Sequence, residues 1–175
     1  MPHDSRPLLI LLMGVSGCGK TTIGRWLAAR LGVPFLDADD LHSPANIARM
    51  RAGTPLTDAD RRPWLDAVAI RLAEADDAGD GVVVACSALK RAYRDHLRAA
   101  APGLRLVHLA GPAATIHRRL EARSGHFMPA GMLESQLATL DPPAADERPI
   151  VIDIAPPPDE IAPSIARALN AAAGP

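Results

Sequence analysis

The chain has 175 residues, 48% of them hydrophobic and 22% charged, which suits one soluble globular domain able to bury a real core. A formal net charge of −1 without a long basic run gives no nucleic-acid footprint. No apolar stretch reaches the ~18 residues of a membrane-spanning helix, and aromatics at 3% leave the core to Ala, Leu, Val and Ile.

Residues 1–7 read as a loose leader. Residues 8–13 are a continuous apolar run of strand length, the pattern of a strand buried on both faces. A glycine-rich turn covers 14–19. Residues 21–31 then place Ile23, Trp26, Leu27 and Leu31 at helical spacing, and Gly32 closes that helix. Residues 33–36 predict a second strand, running into Asp37, Asp39 and Asp40. Helices are expected over 43–52 and 58–78, with Pro63 in the first turn of the latter. Residues 82–86 predict a third strand, 89–100 a basic helix, 104–109 a fourth strand and 112–122 an arginine-rich helix. The pattern breaks over 123–129, returns to helix over 131–140 and gives a fifth strand over 149–154. Pro156-Pro157-Pro158 reads as a rigid turn before a closing helix over 161–173. Strands alternating with helices imply βαβ units in one α/β domain over 1–175: a five-stranded parallel sheet with helices on both faces. Such a sheet binds ligands beyond the carboxyl ends of its strands. The turns after Met13, Leu36, Cys86 and Leu109 are therefore the places to search.

Gly14-Val15-Ser16-Gly17-Cys18-Gly19-Lys20-Thr21 matches G-x-x-x-x-G-K-[ST] in full, between a buried strand and a helix. Glycines let backbone N–H groups converge on phosphate oxygens, and the helix N-terminus adds partial positive charge. Lys20 is expected to reach the β- and γ-phosphates, the Thr21 hydroxyl to hold Mg²⁺, and Thr22 to continue the nucleotide-binding run. Of 19 basic residues only Lys20 and Lys90 are lysine. A lysine kept against that bias points to a need for a slim stem and a point charge. Arg6, the apolar run and Val15-Ser16-Gly17-Cys18 together outline a short export signal. The run is short, its basic flank is one arginine, and the same residues satisfy the more demanding phosphate-loop pattern, so a cytoplasmic chain is expected. Cys18 and Cys86 have no metal-ligand spacing and fit reduced cytosolic thiols.

Neither lysine stands in the Asn-Lys-x-Asp motif of GTP switches, and residues 82–86 lack a terminal aspartate for a second metal motif. Asp37 and Asp39 remain. In extended chain, positions i and i+2 point the same way, so both carboxylates can face one site. One would hold Mg²⁺ through water while the other accepts the proton of an attacking hydroxyl. Asp40 and Ser43 are good helix caps and account for part of the acidic turn.

The resemblance to a known family rests on residues 12–21 and on Phe35-Leu36-Asp37-Ala38-Asp39-Asp40-Leu41-His42. It continues through Pro55-Leu56, Asp60-Arg61, Pro63-Trp64-Leu65, Cys86-Ser87-Ala88-Leu89-Lys90, Gly125-His126-Phe127 and Asp146-Glu147. In these the chain resembles the bacterial gluconate kinases, relatives of shikimate kinase and the nucleoside monophosphate kinases. The phosphate loop is generic; the later segments single out this family.

The resemblance implies a three-layer P-loop kinase fold with a mobile lid over about 123–140 and a substrate-binding helical region over about 40–78. It implies ATP and Mg²⁺ as cofactors and transfer of the γ-phosphate to the 6-hydroxyl of D-gluconate, with Lys20, Asp39 and Arg123 catalytic. Asp37 and Thr21 fall on the metal side, and the substrate among Asp39, His42, Arg49, Ser87, Lys90, Arg94 and His126. A sugar acid carries a carboxylate, so cations such as Arg49, Lys90 and Arg94 make chemical sense there. Arg119 would stack on adenine and Arg123 would touch the transferring phosphate. Pro156-Pro157-Pro158 resembles the adenine-side loop, and Asp141 stands where the family commonly carries glutamate. A homodimer is implied as well. The rival readings are a shikimate or nucleotide kinase of the same build, and a non-catalytic ATP-binding switch. Against the first, Ser87-Ala88-Leu89 replaces the glycine triplet of shikimate kinases.

Overall fold

Five consecutive apolar residues form the first strand, β1 (Leu9–Met13), and none of them is exposed. The computed structural model describes residues 7–122 and 130–172. Alternate side chains of β1 enter two separate cores. Ile10 and Leu12 pack with Ile23, Leu27, Ile116, Leu133 and Ile165, whereas Leu9, Leu11 and Met13 pack with Trp64, Val68, Leu72, Tyr93 and Leu97. A strand with a core on each face has no position where a polar side chain is tolerated, which is why the run is unbroken.

The remaining strands are β2 (Phe35–Asp37), β3 (Val82–Ala85), β4 (Arg105–Ala110) and β5 (Ile150–Asp153). All pair in parallel, in the order β2-β3-β1-β4-β5. Helices α1 (Lys20–Leu31), α5 (Ala113–Glu121), α6 (Ala130–Thr139) and α7 (Pro158–Ala172) serve the first core; α3 (Asp58–Ala78) and α4 (Arg91–Ala100) serve the second. Helix α2 (Pro44–Arg51) starts on a Ser43 cap, and α3 starts on a Thr57–Asp60 capping box. The expected α/β architecture is therefore present. No helix among the described residues is long and apolar enough to cross a membrane.

Several boundaries differ from the sequence reading. β2 starts at Phe35 and extends to Asp37, because its register against Val83–Ala85 carries the first acidic residue into the sheet. Helix α7 begins at Pro158, where proline's fixed φ and missing N–H suit a first helical position; the proline run is thus partly helix. Pro63 lies inside α3, deeper than the expected first turn. Two 3-10 turns, Ala38–Leu41 and Ala145–Glu147, escaped the pattern because they are too short to show a repeating apolar period. Of the lid expected over about 123–140, residues 123–129 lie outside the described residues, and the rest is α6 with its exit.

Candidate active site

The sheet order places β1 between β3 and β4, so the turns after β1, β2 and β3 open onto one edge. The glycines of the phosphate loop are required by geometry. Gly14 has φ +150, and a Cβ there would lie 2.7 Å from Cys18 Sγ and 2.8 Å from the Leu109 carbonyl oxygen. Gly17 has φ +86, and its Cβ would meet Leu120 at 2.7 Å. Helix α1 begins at Lys20, directing its N-terminal amides at the loop. The Lys20 ammonium donates to the carbonyls of Gly14 (2.9 Å) and Val15 (3.1 Å), arching over the turn.

Thr21 and the acidic turn meet here. The Thr21 hydroxyl donates to Asp37 Oδ2 at 2.7 Å, and Asp37 Oδ1 accepts the Asp39 N–H at 3.1 Å. Part of Asp39 meets solvent, yet dehydration by the surrounding protein, and then the Asp37 charge, raise its carboxyl above the ordinary range; Lys20 opposes the shift. Asp39 is thereby a better proton acceptor than an ordinary carboxylate. Thr21 and Asp37 supply hard oxygen donors, one hydroxyl and one carboxylate, which suits Mg²⁺ shared with phosphate oxygens. The turn after β3 closes the other side. The Ser87 carbonyl accepts the Gly14 N–H at 3.3 Å, and Ala88 takes φ +43, left-handed for a residue with a Cβ.

The expected substrate residues divide. His42 is buried and stacks on Trp64 with ring centroids 4.3 Å apart. Burial, followed by the Arg61 charge, lowers its pKa to about 4, so it stays neutral at physiological pH. Lys90 donates to both carboxylate oxygens of Asp58 at 2.9 Å, and Arg49 pairs with Asp60 at 2.9 Å. His42 directly follows the acidic turn, Ser87 and Lys90 lie between β3 and α4, and Arg49 lies on α2. Arg94 is 1% exposed, its Nε and Nη2 bond Glu147 at 2.6 and 2.9 Å, and its Nη1 holds the carbonyls of Ala88 and Leu89. The structure thus corrects its assignment from substrate contact to support of the turn. Arg119 reaches the Ile154 carbonyl and, at 3.3 Å, that of Pro156, joining α5 to the loop after β5. Arg123 and His126 lie outside the described residues.

Sequence reasoning missed three participants. Arg61 donates to Tyr93 Oη at 3.2 Å and lies 3.8 Å from Asp58, and Tyr93 donates to the same carboxylate. Asp58 and Arg61 are one helical turn apart, a spacing that was available to find them. The Tyr93 hydroxyl comes from another element and gave no local signal. Asp141 accepts the Arg91 N–H at 3.1 Å, capping α4 from outside; aspartate performs this task here.

A strand ending in a phosphate loop, with an acidic turn bonded to the loop's threonine, marks the P-loop phosphotransferases. Residues 9–143 match the AAA domain family. A gluconokinase of Gluconobacter oxydans (strain 621H) is 50% identical over 142 residues, covering 81% of this chain and 80% of that protein. The thermosensitive gluconokinase of Escherichia coli (strain K12) is 46% identical over 148 residues, 82% and 78% of the two chains. The crystal structure of a gluconokinase from Sinorhizobium meliloti 1021 superposes with a TM-score of 0.82 at 47% identity, covering 91% and 89%. The chain belongs to the gluconokinase family.

Proposed function

We propose that the protein transfers the γ-phosphate of ATP to the 6-hydroxyl of D-gluconate, giving 6-phospho-D-gluconate and ADP. The observation that carries the mechanism is the Thr21–Asp37–Asp39 chain of hydrogen bonds at the lip of the phosphate loop. The substrate hydroxyl oxygen attacks the γ-phosphorus, the bond to the β-bridging oxygen breaks, and the hydroxyl proton passes to an Asp39 carboxylate oxygen. Its raised proton affinity matches that role. Lys20 turns from the loop carbonyls toward the phosphates and neutralises charge as it develops. Thr21 and Asp37 would hold Mg²⁺, which supplies charge neutralisation on the β- and γ-oxygens when bound.

On the acceptor side, Lys90, Arg49 and Arg61 are the cations for the sugar-acid carboxylate, while His42 and Ser87 offer neutral hydrogen-bonding groups to its hydroxyls. Arg119 lines the adenine side. Arg123 is assigned to the transferring phosphate and His126 to the acceptor, within a lid over 123–140. The protein is placed in the cytoplasm as a homodimer. The test is ADP release with gluconate, shikimate, a nucleoside monophosphate and no acceptor. Turnover with gluconate alone is expected; equal turnover with shikimate or without acceptor would overturn the reading.

A further inference from the structure

Helix α6 reaches back to the phosphate loop through one side chain. The Ser16 N–H donates to Gln136 Oε1 at 2.7 Å, and Gln136 Nε2 donates to Ser16 Oγ at 3.1 Å, although the residues are 120 positions apart. A two-point fork of this kind fixes both the peptide plane and the hydroxyl of a loop residue, whereas one bond leaves a rotation free. Gln136 is itself held in place. Leu133, one turn earlier, is 2% exposed in the core with Val15 and Cys18, and Glu134 lies 3.2 Å from His117 on α5. Just past the helix, the Asp141 N–H donates to the Leu89 carbonyl at 2.8 Å. One helix is thereby tied to the phosphate loop and to the acceptor-side turn.

We propose that Gln136 is a positioning residue for phosphoryl transfer: its amide holds the phosphate loop in the shape that receives ATP, and its neutrality preserves the loop's affinity for the triphosphate. A carboxylate at this position would serve the geometry equally well. It would accept the same N–H, and the Ser16 hydroxyl would turn to donate instead of accept. It would also add a negative charge beside a loop built to bind several negative charges. An amide is the side chain of this length that keeps both bonds without that repulsion. The inference rests on the phosphate loop taking ATP, and not on the identity of the acceptor.

The experiment compares full-length wild type with Gln136→Glu and Gln136→Ala. Binding of a non-hydrolysable ATP analogue is measured by calorimetry, melting by scanning fluorimetry, and turnover by ADP release with ATP and gluconate varied separately. Gln136→Glu is expected to melt with wild type yet bind the analogue about tenfold or more weaker, with a gap that narrows as salt screens the repulsion. Gln136→Ala is expected to lose kcat with little change in KM for gluconate. Analogue binding by Gln136→Glu within twofold of wild type, whatever its melting temperature, overturns the proposal. If wild type binds the analogue but does not phosphorylate gluconate, the acceptor assignment fails while the binding arm still decides on Gln136.

Discussion

The indole N–H of Trp64, on α3, donates to the carbonyl of Ala38 at 2.6 Å, one residue before Asp39. Both residues are buried, and the same indole stacks on His42. The acidic turn after β2 is therefore pinned to a helix of the second core. A buried carbonyl stripped of its donor costs about 1–3 kcal/mol. Trp64→Phe keeps much of the packing and removes the donor, so unfolding free energy is expected to fall by roughly that amount. Because the loosened turn carries Asp39, kcat should fall as well, while ATP affinity changes little. Denaturant melts and steady-state kinetics on the same preparation check both; a stability loss with unchanged kcat would show that the pin does not orient the base.

Asp39→Asn removes the proton acceptor and keeps the shape. The expected loss is about 10²–10⁴-fold in kcat, with ATP binding retained in calorimetry. The wild-type pH profile carries the companion sign. Asp39 is raised, so its acceptor form disappears as pH falls through a value above the ordinary carboxylate range, and kcat/KM should fall there. The same shift means that the ionised Asp39 carboxylate, dehydrated by its surroundings and then repelled by the Asp37 charge, opposes folding at neutral pH. Asp39→Asn should accordingly melt no lower than wild type. Loss of ATP binding together with activity would reassign Asp39 to the metal side.

Lys90 spans two partners: the Asp58 carboxylate in this structure, and the sugar-acid carboxylate in the proposed reaction. The Lys90–Asp58 pair lies near the surface, with 35% and 63% of the side chains exposed, and such pairs contribute about 0–1 kcal/mol. Its cation is therefore free to exchange carboxylates at little cost. Lys90→Met should raise KM for gluconate about tenfold or more, the loss of one charge-assisted hydrogen bond. KM for ATP and the melting temperature should barely move. An unchanged KM for gluconate would hand the carboxylate to Arg49 or Arg61.

What could be read from the sequence follows from how each feature is encoded. A strand buried on both faces must be apolar throughout, so residues 8–13 and 82–86 stand out without any tertiary knowledge. The phosphate loop is equally local, because the glycines, the lysine and the threonine all act within eight consecutive residues. Asp37 and Asp39 were legible because they stand at a strand's end, although Asp37 is the strand's last residue and Asp39 lies in a 3-10 turn rather than in extended chain. The misreadings are of another kind. Arg94 resembled a solvated cation on a basic helix, and only the fold brings Glu147 to it across 53 positions. Gln136 gave no signal, and neither did the hydrogen bond of the buried Trp64, since their partners, Ser16 and Ala38, lie on other elements. Local chemistry announces what binds phosphate; the side chains that hold that chemistry in place are specified by packing alone.

The Arg94–Glu147 pair carries the last prediction, because it joins stability to the geometry of the acceptor turn. Both side chains are 1% exposed, and the guanidinium divides its donors between the carboxylate and the Ala88 and Leu89 carbonyls. Ala88 is held in a left-handed conformation that costs a residue with a Cβ about 1 kcal/mol or more, so the turn relaxes once its carbonyls are released. Glu147→Gln leaves a buried guanidinium without its counter-charge, and breaking a buried pair in this way costs about 3–5 kcal/mol. The Arg94 hydrogen bonds hold the Glu147 carboxyl below its usual range. The stability this pair contributes is therefore fully present above the unfolded glutamate value and lost as pH falls through the lower folded value. Urea melts of wild type should show that loss in acid, and Glu147→Gln should show a shallower pH dependence. A second variant separates folding from function. Arg94→Met/Glu147→Leu replaces the pair with apolar groups of similar size, which often restores stability, yet nothing then holds the two carbonyls. It is expected to melt above Glu147→Gln while keeping a raised KM for gluconate and a lowered kcat. Full recovery of the kinetics in the apolar variant would show that the pair serves stability alone.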